Sequence, residues 1–272
     1  MSFEDIRRLL CAHHITPKRF LGQNFLIEPS LYRKMSEYAE LNKSDVVLDA
    51  GAGFGFLTRF LSNKCKTVVA VEKDLQVAKI LKEQTKDLDN VLVIEGDMLK
   101  AELPTFNKVV AIPPYYLSSL LVTWILEKRV DLAVMILQKE FSHRLVATVG
   151  SEDYGWLTVV ASQCAKVELF DAVPKEMFHP SPEVDSVILV LKHQNIKNFE
   201  VKNEVVFVRL VKWLFTQRNK KLAKALRPYI KTYFKFCKSD AEKIALNIPF
   251  HNKRVRELSP QDFGEIANAL PD

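Results

Sequence analysis

No run of about 18 or more uncharged apolar residues occurs in the 272-residue chain, so a helix long enough to span a bilayer is excluded. The opening stretch MSFEDIRRLLCAHH lacks the apolar core of a secretory signal, and a soluble cytoplasmic protein is expected. Cysteine is scarce. Cys11, Cys65, Cys164 and Cys237 form no CxxC pair and have no histidine at zinc-ligand spacing, which argues against a disulfide framework and against a metal site. The four are expected to be small buried hydrophobes. Acid is missing from one long segment: residues 205–239 hold ten Lys and Arg and no Asp or Glu. A solvated helix face normally mixes in acids for i,i+4 pairs, so this segment is read as a footprint for a phosphate backbone.

The formal charge of +6 is unevenly divided. Residues 193–272 carry 16 Lys and Arg against 8 Asp and Glu, while residues 1–192 carry 23 against 25. Hydrophobic residues at 48% and charged residues at 26% are ordinary for a globular chain with a sizeable core. Short Val- and Ile-rich runs recur through the first two thirds: VVLDA (46–50), TVVAVE (67–72), VLVIEG (91–96), KVVAI (108–112), LAVMIL (132–137), KVELFDAV (166–173) and SVILVLK (186–192). Mostly continuous rather than alternating, they read as strands covered on both faces. Helical patterns lie between the early ones, one of them opening on Asp74 as an N-cap. This is an α/β chain with a doubly wound, Rossmann-like sheet and helices on both faces. Only a Pro-rich loop separates the last two strands, which predicts an antiparallel edge. From about residue 197 every pattern is helical, so a small all-α domain over 197–272 is expected to follow a sheet domain over 1–196 that includes an N-terminal arm of about residues 1–28.

The first strand ends in VLDAGAGFGFLT, with Gly51, Gly53 and Gly55 among only eight glycines in the chain. Such a turn lets backbone approach a ligand closely. The pattern is GxGxG rather than GxGxxG, and Asp49 beside it would repel a diphosphate. Glu72, ending the second strand, can accept both hydroxyls of a ribose. Asp97, ending the third, can accept the amino group of an adenine. These acids favour a cationic nucleoside over a dinucleotide, and S-adenosylmethionine fits better than NAD. The fourth strand leaves through VVAIPPYYLSS (109–119), a Pro-Pro-Tyr hook in which Pro113 and Pro114 fix the backbone and Tyr115 offers a stacking face.

At that position the hook resembles the (Asn/Asp/Ser)-Pro-Pro-Tyr motif of methyltransferases acting on exocyclic amino groups of bases. With KRFLGQNFL (18–26), VEKD, EGDMLK, LQKEFSHRL, FHPSPEVDS (178–186), FTQRNKKL and RVRELSPQDF, the chain resembles the ribosomal RNA small-subunit adenine-N6 dimethyltransferase family from residue 18 to residue 263. The resemblance implies a class I methyltransferase domain with a small helical domain. It implies transfer of methyl groups from S-adenosylmethionine to N6 of two adjacent adenines near the 3′ end of small-subunit rRNA, on an immature small subunit. The sequence does not reveal oligomeric state, and a monomer is the expectation. Carried over by position, Asn24, Leu26 and Gly53 contact the cofactor, Gly51 lies at its methionine part, Glu72 holds the ribose and Asp97 the adenine. Tyr115 stacks on the target base, Phe178 closes on its other face, and Ile112 occupies a cofactor-contacting position. No metal is required.

Several readings stay open at this point. Gln23 and Asn24 can be turn caps, FHPSPEVDS can be a rigid edge loop, and Lys18 and Arg19 suit RNA phosphate as well as cofactor. Arg218, Lys220 and Lys221 are the first choices for phosphate contact, with Arg254 and Arg256 after them. The family has Asn where this chain has Ile112, and Asn107 lies five residues upstream on the strand. An isoleucine side chain cannot accept from an amino group. The expectations are therefore an active but weakened enzyme, or an rRNA-binding assembly factor without chemistry, or a relative acting on a large-subunit adenine.

Overall fold

The computed structural model describes residues 3–18, 22–194 and 198–271. By packing they form two compact units, Met1–Ser142 with Val167–His193, and His143–Lys166 with Gln194–Asp272.

The first unit is built on a seven-stranded sheet. Its strands are β2 (Val46–Ala50), β3 (Thr67–Glu72), β4 (Val91–Glu95), β5 (Lys108–Ala111), β6 (Leu132–Gln138), β7 (Ala165–Val173) and β9 (Ser186–His193), in the order β4-β3-β2-β5-β6-β9-β7. Two further short strands, β1 (Phe25–Leu26) and β8 (Phe178–His179), pair antiparallel, with Leu26 opposite Phe178. From β4 to β6 all pairings are parallel, and β9 runs antiparallel to β6 with Ser186 opposite Gln138. The antiparallel strand expected at the end of the sheet is thus present, but it lies one place inward and β7 is the edge. The apolar runs behave as continuous hydrophobic sequence should: β5 and nearly all of β6 are buried, whereas β4, at the opposite edge, leaves Leu92 45% exposed.

Chain order reverses at the centre. β2 leads outward to β3 and β4 on one side, and β5 begins the other side. Ligands of open α/β sheets bind at the carboxyl ends of the strands flanking such a switch point. Around the sheet lie α1 (Phe3–Ala12), α2 (Ser30–Tyr38), α3 (Phe56–Ser62), α4 (Leu75–Thr85), α5 (Ser118–Lys128) and α6 (Lys139–Leu145), the last reaching into the second unit. Asp74 caps α4 as its sequence predicts, accepting from the Gln76 N–H.

The second unit contains α7 (Trp156–Cys164), α8 (Glu204–Phe215), α9 (Leu222–Tyr233), α10 (Lys238–Asn247) and α11 (Pro260–Asn268). In α8 the buried residues Phe207, Leu210, Val211 and Leu214 follow the i, i+3, i+4, i+7 spacing of one helix face. Ser259 caps α11, with Pro260 at its first position. α7 joins the later helices because its buried face packs on α8 and α11. Among the described residues no helix is long and apolar enough to cross a membrane. The cysteines correct an expectation: Cys65 is buried, Cys164 half-buried, and Cys11 and Cys237 exposed. Cys237 stands at the N-cap of α10 and its sulfur accepts from the Asp240 N–H, a task done at the surface.

Candidate active site

The glycine turn is forced by its neighbours. Gly51 has φ of +79°, and a Cβ there would lie 2.9 Å from Pro114 Cδ. The N–H groups of Gly51 and Ala52 both donate to the Val71 carbonyl, at 2.9 and 3.0 Å, which ties the turn to β3. Gly53 N–H donates to Glu72 Oε2 at 2.9 Å, while Asp74 N–H donates to Oε1 at 2.8 Å. Both oxygens of Glu72 are thereby fixed in direction, with lone pairs left for a ligand. Burial raises the Glu72 carboxyl above its ordinary value, and the N–H groups of Asp74 and Gly53 offset part of that rise. At Asp97 burial also pulls upward, but hydrogen bonds from Lys73 Nζ at 3.1 Å and the Leu99 N–H at 3.1 Å outweigh it, and the carboxyl stays below the usual range.

Glu72 and Asp97 line one cleft together with Gln23, Asn24, Gly51, Gly53, Ile112, Pro114 and Tyr116. A smaller recess next to it is lined by Asn24, Leu26, Tyr32, Asp49, Gly51 and Ile112. Asn24 thus stands on both, whereas Leu26 stands only on the recess. Asp49 is 1% exposed. Burial pushes its carboxyl up to about 7, against the hydroxyl of Thr58, which donates at 2.7 Å, and with Glu72 adding to the rise.

The hook closes the cleft from β5. After Ile112 and Pro113, Pro114 accepts from the Leu117 N–H at 2.9 Å, and one tight turn over Tyr115–Leu117 leads into α5. Tyr115 is half-buried, and its hydroxyl is 2.6 Å from Ser186 Oγ. Phe178 is 3% exposed and meets the Tyr115 ring edge-on, with centroids 6.5 Å apart and planes at 78°. The two rings come together as the sequence predicts, but not as parallel walls of a slot. Pairing of β8 with β1 and burial in the main core set the direction of Phe178.

The ribosomal RNA adenine dimethylase family matches the sequence over residues 15–268. This chain belongs to that family. It is 35% identical to the probable ribosomal RNA small subunit methyltransferase A of Methanosarcina mazei, over 98% of this chain and 97% of the relative. It is 37% identical to the protein of the same description from Pyrococcus abyssi, over 96% and 95%. Among solved structures, a dimethyladenosine transferase from Plasmodium falciparum is similar at a TM-score of 0.74 and 26% identity, covering 89% of this chain and 95% of that one. The 23S rRNA methyltransferase ErmE is similar at 0.65 and 28%, covering 90% and 99%. The fold is that of class I methyltransferases.

The cleft fits the cofactor of such a dimethylase, S-adenosylmethionine. A glycine turn without side chains, a carboxylate held open by two N–H groups and a second acid follow at successive strand ends. The side chains that sequence reasoning missed are the neighbours of those it found: Lys73, Met98 and Tyr116 also line the cleft, Tyr116 being 51% exposed. Lys18 is placed by the structure on Asp74, its Nζ 2.7 Å from Oδ2. Arg19 lies outside the described residues. Asn107 cannot stand in for the dimethylase asparagine. It sits at the opposite end of β5, where its Oδ1 accepts from the Val46 N–H at 2.9 Å and its Nδ2 donates to Asp45 at 2.9 Å. Ile112 is half-buried and packs against the main core.

The basic residues of the second unit meet where two loops pair. Val255 N–H donates to the Lys220 carbonyl at 3.1 Å, Arg256 N–H to the Arg218 carbonyl at 3.0 Å and Leu222 N–H to the Lys253 carbonyl at 2.8 Å. Lys220, Lys221, Arg254 and Arg256 are all exposed there. Arg218 differs. Half-buried, it donates to the carbonyls of Glu152 at 2.8 Å and Ser151 at 2.9 Å, so its guanidinium is engaged in holding that loop. Arg254 donates to the Asn219 carbonyl, and Lys253, not singled out from sequence, lies on the same pair of loops.

Proposed function

We propose that this chain methylates N6 of two adjacent adenines near the 3′ end of small-subunit rRNA during assembly of the subunit. The observation that carries the reading is the convergence of Gly51, Glu72, Asp97 and the hook residues Ile112 and Pro114, at the ends of four parallel strands, on one cleft at the switch point, with Tyr115 following directly in the hook. The small-subunit relatives at 35% and 37% identity favour this target over a large-subunit adenine, for which ErmE at 28% speaks.

S-adenosylmethionine, when bound, supplies a methyl group made electrophilic by the sulfonium. Glu72 would hold its ribose, Asp97 its adenine, and Asn24 and the glycine turn its methionine part. The target's amino nitrogen is a poor nucleophile because its lone pair is delocalised into the ring, and acceptors that draw on its hydrogens correct this. The hook is suited to that work. Pro113 and Pro114 have no N–H, so the two prolines offer the backbone there only as acceptors. Among the described residues no N–H donates to the carbonyls of Ile112 or Pro113. The Ile112 carbonyl, on the cleft-lining residue, would take the amine without a side-chain carboxamide, and that of Pro113 is the next acceptor along the hook. Tyr115, pinned by Ser186, gives the stacking face for a base taken out of its helix, at about 1–3 kcal/mol per stacked base. The paired basic loops of the second unit hold phosphates, and the protein acts as a monomer.

A second reading, an assembly factor that binds cofactor and rRNA without chemistry, is favoured by Ile112 alone. Tritiated cofactor and small subunits lacking the modification decide between them. Label in the two adenines is expected, and Ile112→Asn is expected to raise the rate by up to about 10², the order of one preorganised hydrogen-bonding group. Tight subunit binding with no label would establish the second reading.

A further inference from the structure

The cofactor cleft has one wall, residues 22–24, that belongs to neither helix nor sheet. A buried carboxylate ties it to β3 and α4. Asp74 is 6% exposed. Its Oδ1 accepts from the Gln76 N–H at 3.0 Å and caps α4. Its Oδ2 accepts from Lys18 Nζ at 2.7 Å and from Gln23 Nε2 at 3.0 Å. Lys18 N–H in turn donates to Gln23 Oε1 at 2.8 Å, so the two arm residues are bound to each other as well as to Asp74. On its other side the Asp74 N–H donates to Glu72 Oε1 at 2.8 Å. A helix cap needs one oxygen. The second, loaded with an ammonium and an amide, serves something else.

What it serves is read from the neighbours. Gln23 lines the cleft, and Asn24 beside it lines both cleft and recess. Gly22 rests on the hook, where a Cβ would be 3.2 Å from Pro114 Cβ, and Phe25 lies against Gly53. The wall is thus fixed to hook and glycine turn by packing, and to β3 and α4 through Asp74. Charge-assisted hydrogen bonds of this length are among the stronger directional contacts a protein makes. Lys18 keeps its side chain only 37% exposed against 4% for Asp74.

We propose that Asp74 is a positioning residue for the cofactor: through Lys18 and Gln23 it holds the wall that carries Asn24, and through its N–H it orients Glu72. Asp74 itself does not line the cleft. The inference rests on the reading of that cleft as the S-adenosylmethionine site. A residue of this kind contributes equally to ground state and transition state, so its loss shows in KM and not in kcat.

Lys18→Met, Asp74→Asn and the double variant test it in the full-length protein. Asparagine keeps a capping oxygen for α4, and Lys18→Met leaves that cap untouched. Calorimetric titration with S-adenosylhomocysteine is expected to show binding weakened about tenfold in each single variant, the order expected for a slight misplacement away from the reacting atoms. KM for S-adenosylmethionine should rise by the same factor with kcat within about twofold. The double variant should be no weaker than the weaker single, because both substitutions cut one link. Unchanged binding in both singles, whatever their Tm, would leave Asp74 only its place as a helix cap and overturn the proposal. Losses that multiply in the double would overturn it as well. Failure of the unsubstituted protein to bind S-adenosylhomocysteine would be a different result, removing the cofactor reading itself and this inference with it.

Discussion

Asp49 and Ile112 stand on the same recess, and each departs from what its residue type usually does. Unfolded, an aspartate releases its proton near about 3.9; folded, Asp49 keeps it to about 7 because burial outweighs the Thr58 hydrogen bond. Between those values the folded state binds the extra proton. The contribution of Asp49 to stability is therefore complete below its unfolded value and lost as pH rises toward the folded one, with a slope of at most about 1.4 kcal/mol per pH unit. Urea unfolding of cofactor-free Asp49→Asn between about pH 4 and pH 7 is expected to show a shallower decline than the unsubstituted protein. Equal slopes would contradict the burial of a protonated acid there. At this scale the sequence was legible where spacing marks a strand end, as at Glu72 and Asp97. It was silent on Lys73 and Tyr116, which sit beside such positions without a pattern of their own. The second oxygen of Asp74 was hidden because a helix cap reads the same whatever else it holds. The direction of Phe178 depends on its pairing with Leu26, far away in the chain.

Among the elements, the glycine turn and the hook are mutually fitted, and each explains the other's composition. Packing makes the link: β2 and β5 are neighbours, with Leu48 paired to Val109, and beyond their ends a Cβ on Gly51 would meet Pro113 and Pro114. Gly51→Ala would combine a strained positive φ with a Cβ driven into Pro114, while Gly150→Ala has φ of +84° and nothing within 4 Å. Gly51→Ala is expected to lose more than about 1 kcal/mol of stability and to weaken cofactor binding. Gly150→Ala should show strain alone and leave cofactor binding intact; equal effects in both would mean that the hook yields. Strands and the later helices were readable because periodicity and caps are local. The inward place of β9 was not, since a Pro-rich loop fixes that two strands are neighbours and leaves open which of them takes the edge.

Across the whole molecule the charge division is the plainest signal in the sequence, but its use depends on folding. Lys220, Lys221, Arg254 and Arg256 become one basic surface only because two loops pair across about 35 residues, and the same pairing engages Arg218 with backbone carbonyls. Lys220→Ala and Arg256→Ala are each expected to lower the slope of log affinity against log salt by about 1 for small-subunit binding. A slope unchanged in both would remove these loops from the RNA interface. Family membership settles the class of chemistry, and Ile112 makes its retention in this chain the central claim. The most direct measurement is methyl transfer itself: tritiated S-adenosylmethionine with small subunits that lack the modification, followed by mapping of the label. Label at N6 of two adjacent adenines near the 3′ end, faster with Ile112→Asn, is the predicted result. Subunits bound tightly and left unlabelled by the unsubstituted protein would contradict it.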